Sequence, residues 1–217
     1  MKKNTQTHLS RAKLARLLSR RSPLKIGLTG GIGAGKSLAL KALREKRIPV
    51  LQTDLISHQL LHNQKIKNRL TKAFGSGILG GGGMIDRKKM ALEAFRSGGR
   101  QKKLNSIIHP AVWRSVARWI KKQAGRKPVP RLVVVEVPLL FEGFFHRFFD
   151  GTISISSAAK SRQKRLKKKG WSLLKIRQRE ALQWTQERKN QKADWVIYNQ
   201  SSGNDLKYAL YDWIAQF

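Results

Sequence analysis

Gly30-Gly31-Ile32-Gly33-Ala34-Gly35-Lys36-Ser37 decides the fold. The run fits G-x-x-x-x-G-K-[ST], the pattern of a loop that cradles phosphates. Its glycines let successive main-chain N–H groups turn inward with no Cβ in the way, forming a nest for an anion. A helix opening near Lys36 aims its positive end at the same anion. Lys36 would reach the β- and γ-phosphates, and the Ser37 hydroxyl would hold Mg²⁺. The candidate nucleotide-binding residues are therefore Gly31, Ile32, Gly33, Ala34, Gly35, Lys36, Ser37 and Leu38. A glycine-rich turn beside a solvated lysine is the bland alternative. The position of the run, after a strand and before a helix, favours a nucleoside triphosphate.

Outward from the loop, strand and helix signals alternate. Leu24–Thr29 is a short apolar strand, Ser37–Lys46 a helix, and Ile48–Thr53 a second buried strand ending at Asp54. A helical stretch spans Leu55–Phe74, a loop Gly80–Gly83, and another helix Lys88–Phe95. Pro110 suits the first turn of a further helix, whose apolar stripe is Val112, Trp113, Val116 and Ile120. Strands follow at Arg131–Val137 and Thr152–Ser156, then basic helices at 158–169 and 172–191, a strand at Trp195–Tyr198 and a closing helix from Gly203 or Asn204. This order predicts an α/β protein of the P-loop NTPase fold, a mostly parallel sheet with helices on both faces.

The 217 residues include no Cys, so disulfide frameworks, zinc ribbons and thiol catalysis are excluded. No apolar run reaches membrane-spanning length, and the N-terminus lacks the apolar segment of a secretory signal. The expected location is the cytoplasm. Lys and Arg number 46 against 12 Asp and Glu, a net charge of +34. That balance favours polyanionic partners, with nucleic acid as a non-specific side activity, and equally fits positive charge spread over solvated faces. Residues 1–23, basic and without an acid, read as a flexible arm. An organelle transit peptide or an arm that grips nucleic acid shares that composition.

Phosphoryl transfer needs positioning, Mg²⁺, cations around the migrating group and something to deprotonate the acceptor. Asp54 ends the second strand, on the edge where open α/β sheets place ligands, and could take a proton there. Capping the following helix is its ordinary alternative. Glu136 closes Leu132-Val133-Val134-Val135, a place suited to meeting Mg²⁺ through water. Glu142 follows Pro138-Leu139-Leu140-Phe141 and reads equally as a site residue or a loop cap. Cations crowd the helix at 158–169 and could form a lid whose arginine closes over the phosphates.

These motifs together resemble the dephospho-CoA kinase family from Leu24 to the C-terminus. The resemblance rests on Gly27 to Ser37, Asp54-Leu55-Ile56, Gly83-Met84-Ile85-Asp86-Arg87 and Leu104-Asn105-Ser106-Ile107-Ile108-His109-Pro110. It continues through Pro138-Leu139-Leu140-Phe141-Glu142, Gln163-Lys164-Arg165-Leu166, Gln183 and Ala193-Asp194-Trp195-Val196-Ile197-Tyr198-Asn199. It implies ATP-dependent phosphorylation of the ribose 3′-hydroxyl of dephospho-CoA, with ATP and dephospho-CoA as substrates. It also implies a helical acceptor-binding insertion at about 55–125 and a lid at about 158–180 within a kinase domain at 24–217. Asp54 matches the family's proposed base and Arg165 the lid arginine. Arg87, Asn105, His109 and Glu142 fall on acceptor-side motifs, and Asn199 lies in the loop expected near adenine.

The sequence departs from the family at Gln52, where an Asp is frequent, at His58 and Lys169, where arginines are frequent, and at Leu38, where Thr is usual. A kinase of another small acceptor and a basic nucleic-acid-binding protein with an ATP site are the competing readings.

Overall fold

The computed structural model describes residues 4–19, 23–200 and 203–217. Arg20 and Arg21, read above as part of the arm, lie outside them. The elements run β1 (Thr5–Thr7), α1 (Arg11–Leu18), β2 (Leu24–Thr29), α2 (Lys36–Glu45), β3 (Val50–Gln52), α3 (Thr53–Leu60), α4 (Gln64–Phe74), α5 (Arg87–Phe95) and α6 (Gly98–Ala124). Then follow β4 (Leu132–Glu136), β5 (Gly151–Ser156), α7 (Ala159–Lys168), α8 (Leu173–Glu180), α9 (Gln186–Lys192), β6 (Trp195–Tyr198) and α10 (Gly203–Ile214). By compactness the chain divides into a core unit, Met1–Leu51 with Lys122–Phe217, and a helical unit, Gln52–Lys121.

The sheet has six strands in the order β1-β6-β5-β2-β4-β3. β2 pairs in parallel with β4 (Leu24↔Leu132 through Leu28↔Glu136) and with β5, which pairs in parallel with β6. Strand alternation along β5 separates its two faces. Ile153 and Ile155 join Leu40, Leu43, Leu206, Leu210 and Trp213 in an apolar core with α2 and α10. Ser154 and Ser156 point the other way, to Asn190 of α9. Helices therefore cover both faces, as the alternating pattern predicts.

Of the stretch 1–23, expected to be a flexible arm, the described residues 4–19 are built into the fold. Thr5–Thr7 pairs antiparallel with β6, and Tyr198 N donates to Asn4 O while His8 N donates to Asp194 O. An edge strand presents unpaired N–H and C=O groups, and β1 takes up those of β6. The Ser10 side chain caps α1 by accepting from Lys13 N, and Leu17 enters the core at 6% exposure. Arg131 ties the segment down by donating to Leu18 O and to Phe217 O.

Three helix boundaries also differ from expectation. The stretch 55–74 is two helices, parted where Asn63 caps α4 through Lys65 N and Ile66 N. The stretch 172–191 is likewise two, parted where Thr185 caps α9 through Arg188 N. Pro110 lies inside α6 instead of opening a helix. Proline there removes one backbone bond but leaves the turns on either side to hold the rod together. The helical unit has its own core, which includes Ile66, Leu70, Phe74, Ile78, Met90 and Ile107.

Candidate active site

The phosphate loop leaves β2 and enters α2 within the core unit. Gly35 is the residue before α2 and sits in the left-handed region at φ 111°. A Cβ there would collide with Nδ2 of Asn199. Gly33, at φ 75°, lies so close to Leu166 and the Arg162 carbonyl that a side chain would press on α7. Only glycine fits these two positions, which explains the composition of the loop physically. Lys36 Nζ donates to Gly30 O at 2.9 Å and to Gly31 O at 3.2 Å, holding the ammonium over the turn.

A cavity of about 740 Å³ opens beside this loop. Residues 32–38 form one wall, and Arg165, Lys168, Lys169 and Trp171 from α7 and the turn after it form another. With Lys41, five cations and no carboxylate line it among the described residues. Such a lining suits a polyphosphate, whose charge it neutralises away from bulk water. Arg165 Nη1 donates to Gly33 O at 3.1 Å and to Ser157 Oγ at 2.9 Å, and Nη2 reaches Asn199 O at 3.4 Å. Burial lowers its pKa from the ordinary arginine value.

Asn199 is 3% exposed and donates through Nδ2 to Ala34 O at 2.8 Å. It thus braces the loop as well as lining the cavity. Gln186 is a further brace that no sequence pattern marked: its Oε1 accepts from Gly31 N at 2.8 Å, and its Nε2 donates to Ser154 Oγ and Asn190 Oδ1. A glutamine in a basic helix carries no local signal. Only the packing of α9 on β5 brings it to the loop.

Glu136 ends β4 in register with Leu28 of β2, is 6% exposed, and does not line the cavity. Glu142 is held in a buried pair. Its Oε1 lies 3.1 Å from Nζ of Lys189 and accepts from Trp184 N at 2.8 Å. Lys189 is fully buried and also donates to Pro138 O at 2.6 Å. Its pKa is lowered by burial, against the pull of Glu142.

In the helical unit, α3 starts at Thr53, with Gln52 before it making no side-chain cap. Asp54 therefore lies in the first turn, exposed, and is not the capping residue. A separate cavity of about 280 Å³ brings together Arg87, Asn105, His58, Ser57 and Gln101. Asp86 caps α5 through Lys88 N and Lys89 N, and so places Arg87 at the head of that helix. Arg87 Nη2 lies 2.7 Å from His58 Nε2. A guanidinium only donates, so Nε2 is the acceptor. His109 follows Asn105 by one turn of α6 but does not line this cavity, and burial lowers its pKa.

A sequence model of the dephospho-CoA kinase family matches residues 24–205. The dephospho-CoA kinase of Lactobacillus johnsonii is 31% identical over 193 residues, 88% of this chain and 96% of that protein. A dephospho-CoA kinase of Thermus thermophilus is 33% identical over 189 residues, 87% of this chain and 89% of its own length. Among solved structures, TT1252 from Thermus thermophilus superposes with a TM-score of 0.79 at 31% identity, covering 91% of this chain and 99% of that one. With the glycine loop, the order of motifs and the parallel sheet all in agreement, the chain belongs to the dephospho-CoA kinase family.

Proposed function

We propose that the chain transfers the γ-phosphoryl group of ATP to the ribose 3′-hydroxyl of dephospho-CoA, giving CoA and ADP, the last step in making coenzyme A. The carrying observation is the cavity walled by the glycine loop and by Arg165, which is hydrogen-bonded to that loop at Gly33. The triphosphate lies along the loop amides with Lys36 at its β- and γ-oxygens. A P–O bond forms from the 3′-oxygen to the γ-phosphorus as the bond to the bridging oxygen of ADP breaks. Asp54 takes the hydroxyl proton, which requires its carboxylate to reach the acceptor when both substrates are bound. Arg165 donates to the oxygens on which negative charge gathers.

Among the described residues no group of three or more His, Asp or Glu side chains could hold a metal ion. The Ser37 hydroxyl, a hard oxygen donor on the cavity wall, suits Mg²⁺ carried in on the nucleotide, and Glu136, which does not line the cavity, is assigned a contact to that ion through water. When bound, that ion neutralises phosphate charge. Arg87 and Asn105, at one cavity, are assigned to the acceptor, with His109 and Glu142 supporting the acceptor side. The stretches 158–180 and 55–125 are assigned as lid and acceptor-binding insertion. The cytoplasm is the proposed location, and among the described residues no helix is long and apolar enough to cross a membrane.

The test is a coupled assay with ATP, Mg²⁺ and dephospho-CoA, with adenosine and nucleoside monophosphates as rival acceptors. Turnover confined to dephospho-CoA supports the assignment. ADP release with another acceptor and none with dephospho-CoA overturns it.

A further inference from the structure

A cavity of about 380 Å³ lies in the core unit and shares no residue with the one beside the phosphate loop. Its walls come from the segment after β4 and from α9 with the turn before it. Phe141 and Trp184 stack at 18° with centroids 6.2 Å apart. The Arg188 guanidinium lies over the Trp184 ring at 3.7 Å, and that of Arg147 stands 5.4 Å from the Phe144 centroid. Lys192 completes the cationic rim, with His146 beside it, whose pKa burial and the neighbouring Lys192 and Arg147 lower, and among the described residues no carboxylate lines the cavity.

Phe144 is the telling residue. It is 59% exposed, and its backbone is left-handed at φ 56°. That conformation is rare for a bulky side chain, and here it holds a large apolar ring at the surface beside cations. A merely solvated basic face would extend its long side chains into water without an exposed ring. An apolar docking face would not be rimmed by cations alone. Aromatic faces alternating with arginines match a ligand that repeats the same pairing, a flat base beside a phosphate.

We propose that this cavity binds single-stranded nucleic acid, with a base stacked on Phe144 and the flanking phosphates on Arg147, Arg188 and Lys192. A duplex keeps its bases inside the stack and cannot offer the ring a face. The net charge of +34 draws in any polyanion, so discrimination between strands has to come from stacking.

The test uses the full chain with its phosphate loop saturated by a non-hydrolysable ATP analogue. Binding of labelled oligo-dT, a labelled duplex and labelled heparin is followed by anisotropy across a salt series. F144N removes the ring while keeping a residue that accepts the left-handed backbone. It is expected to weaken oligo-dT binding about 10-fold, leaving duplex binding, heparin binding and the salt slope unchanged. R188Q is expected to reduce the oligo-dT salt slope by about 1. An unchanged unfolding midpoint and unchanged phosphoryl transfer establish that F144N is folded. If its midpoint falls, R147Q at the exposed rim replaces it and is expected to reduce the slope by about the same amount. Equal weakening of all three ligands, or of none, overturns the proposal, as does AMP displacing oligo-dT as well as unlabelled oligo-dT does.

Discussion

The Lys189 ammonium, with no exposed surface, lies 3.1 Å from Oε1 of Glu142 in a chain where carboxylates are scarce. Together with the bond from Lys189 to Pro138 O, this pair fastens α9 to the turn after β4. Thr29, the last residue before the phosphate loop, donates to the same Pro138 carbonyl at 3.1 Å. Lys189→Met leaves a buried carboxylate without its cation and is expected to lower stability by about 3–5 kcal/mol. Adding Glu142→Gln should recover part of that loss. Urea unfolding of the single and double variants checks it; additive losses would mean that the two groups do not interact.

Asp54→Asn is expected to lower kcat by a factor of about 10²–10⁴ with ATP affinity unchanged. Asp54 sits in the first turn of α3 without capping it. A loss confined to the unfolding midpoint would therefore mark a favourable charge at the head of the helix and nothing more. Steady-state rates and nucleotide titration separate the two outcomes.

Removing the Arg165 side chain should lower kcat about 10²–10³-fold. Arg165→Lys keeps the charge but loses the forked reach to Gly33 O and Ser157 Oγ, so an intermediate rate is expected. If lysine restores the full rate, only the charge matters.

Leu17→Ala is expected to lower stability by about 2–5 kcal/mol, because this side chain is part of the main core. A protein starting at Pro23 should melt lower still. Thermal unfolding of both variants against the full chain tests this, and an unchanged midpoint would return the segment to the status of a loose arm.

Burial lowers the pKa of His109 below its ordinary value of 6.5. As pH falls through that value the unfolded chain takes up the proton before the folded one does, so stability falls with it. Above neutrality neither state binds that proton and the effect vanishes. His109→Gln should flatten the decline between about pH 7 and pH 5, read as unfolding midpoint against pH. An identical slope in both proteins would place the acid sensitivity elsewhere.

The glycine loop, the strands around it and the helices at Arg87–Phe95 and Ala159–Lys168 were legible because each carries a local pattern. Apolar runs bounded by turns, a phosphate nest and a fixed order of motifs are properties of neighbours in the chain. Thr5-Gln6-Thr7 has no apolar alternation, and it becomes a strand only because β6 offers an open edge. The breaks at Asn63 and Thr185 turned on side chains that cap when the chain bends there, which periodicity alone does not register.

Asp54, Arg87, Asn105, Asn199 and Arg165 could be named from the sequence as candidates. What Asn199 and Arg165 touch could not. Sequence by itself determined that a triphosphate-binding loop sits in an α/β sheet, since that depends on residue type and spacing. Tertiary structure alone decided that Gln186 braces Gly31, that Glu142 is closed in a pair with Lys189, and that Phe144 stands outward among arginines. Those relationships join residues far apart along the chain, and their energies exist only once packing has removed water from between them.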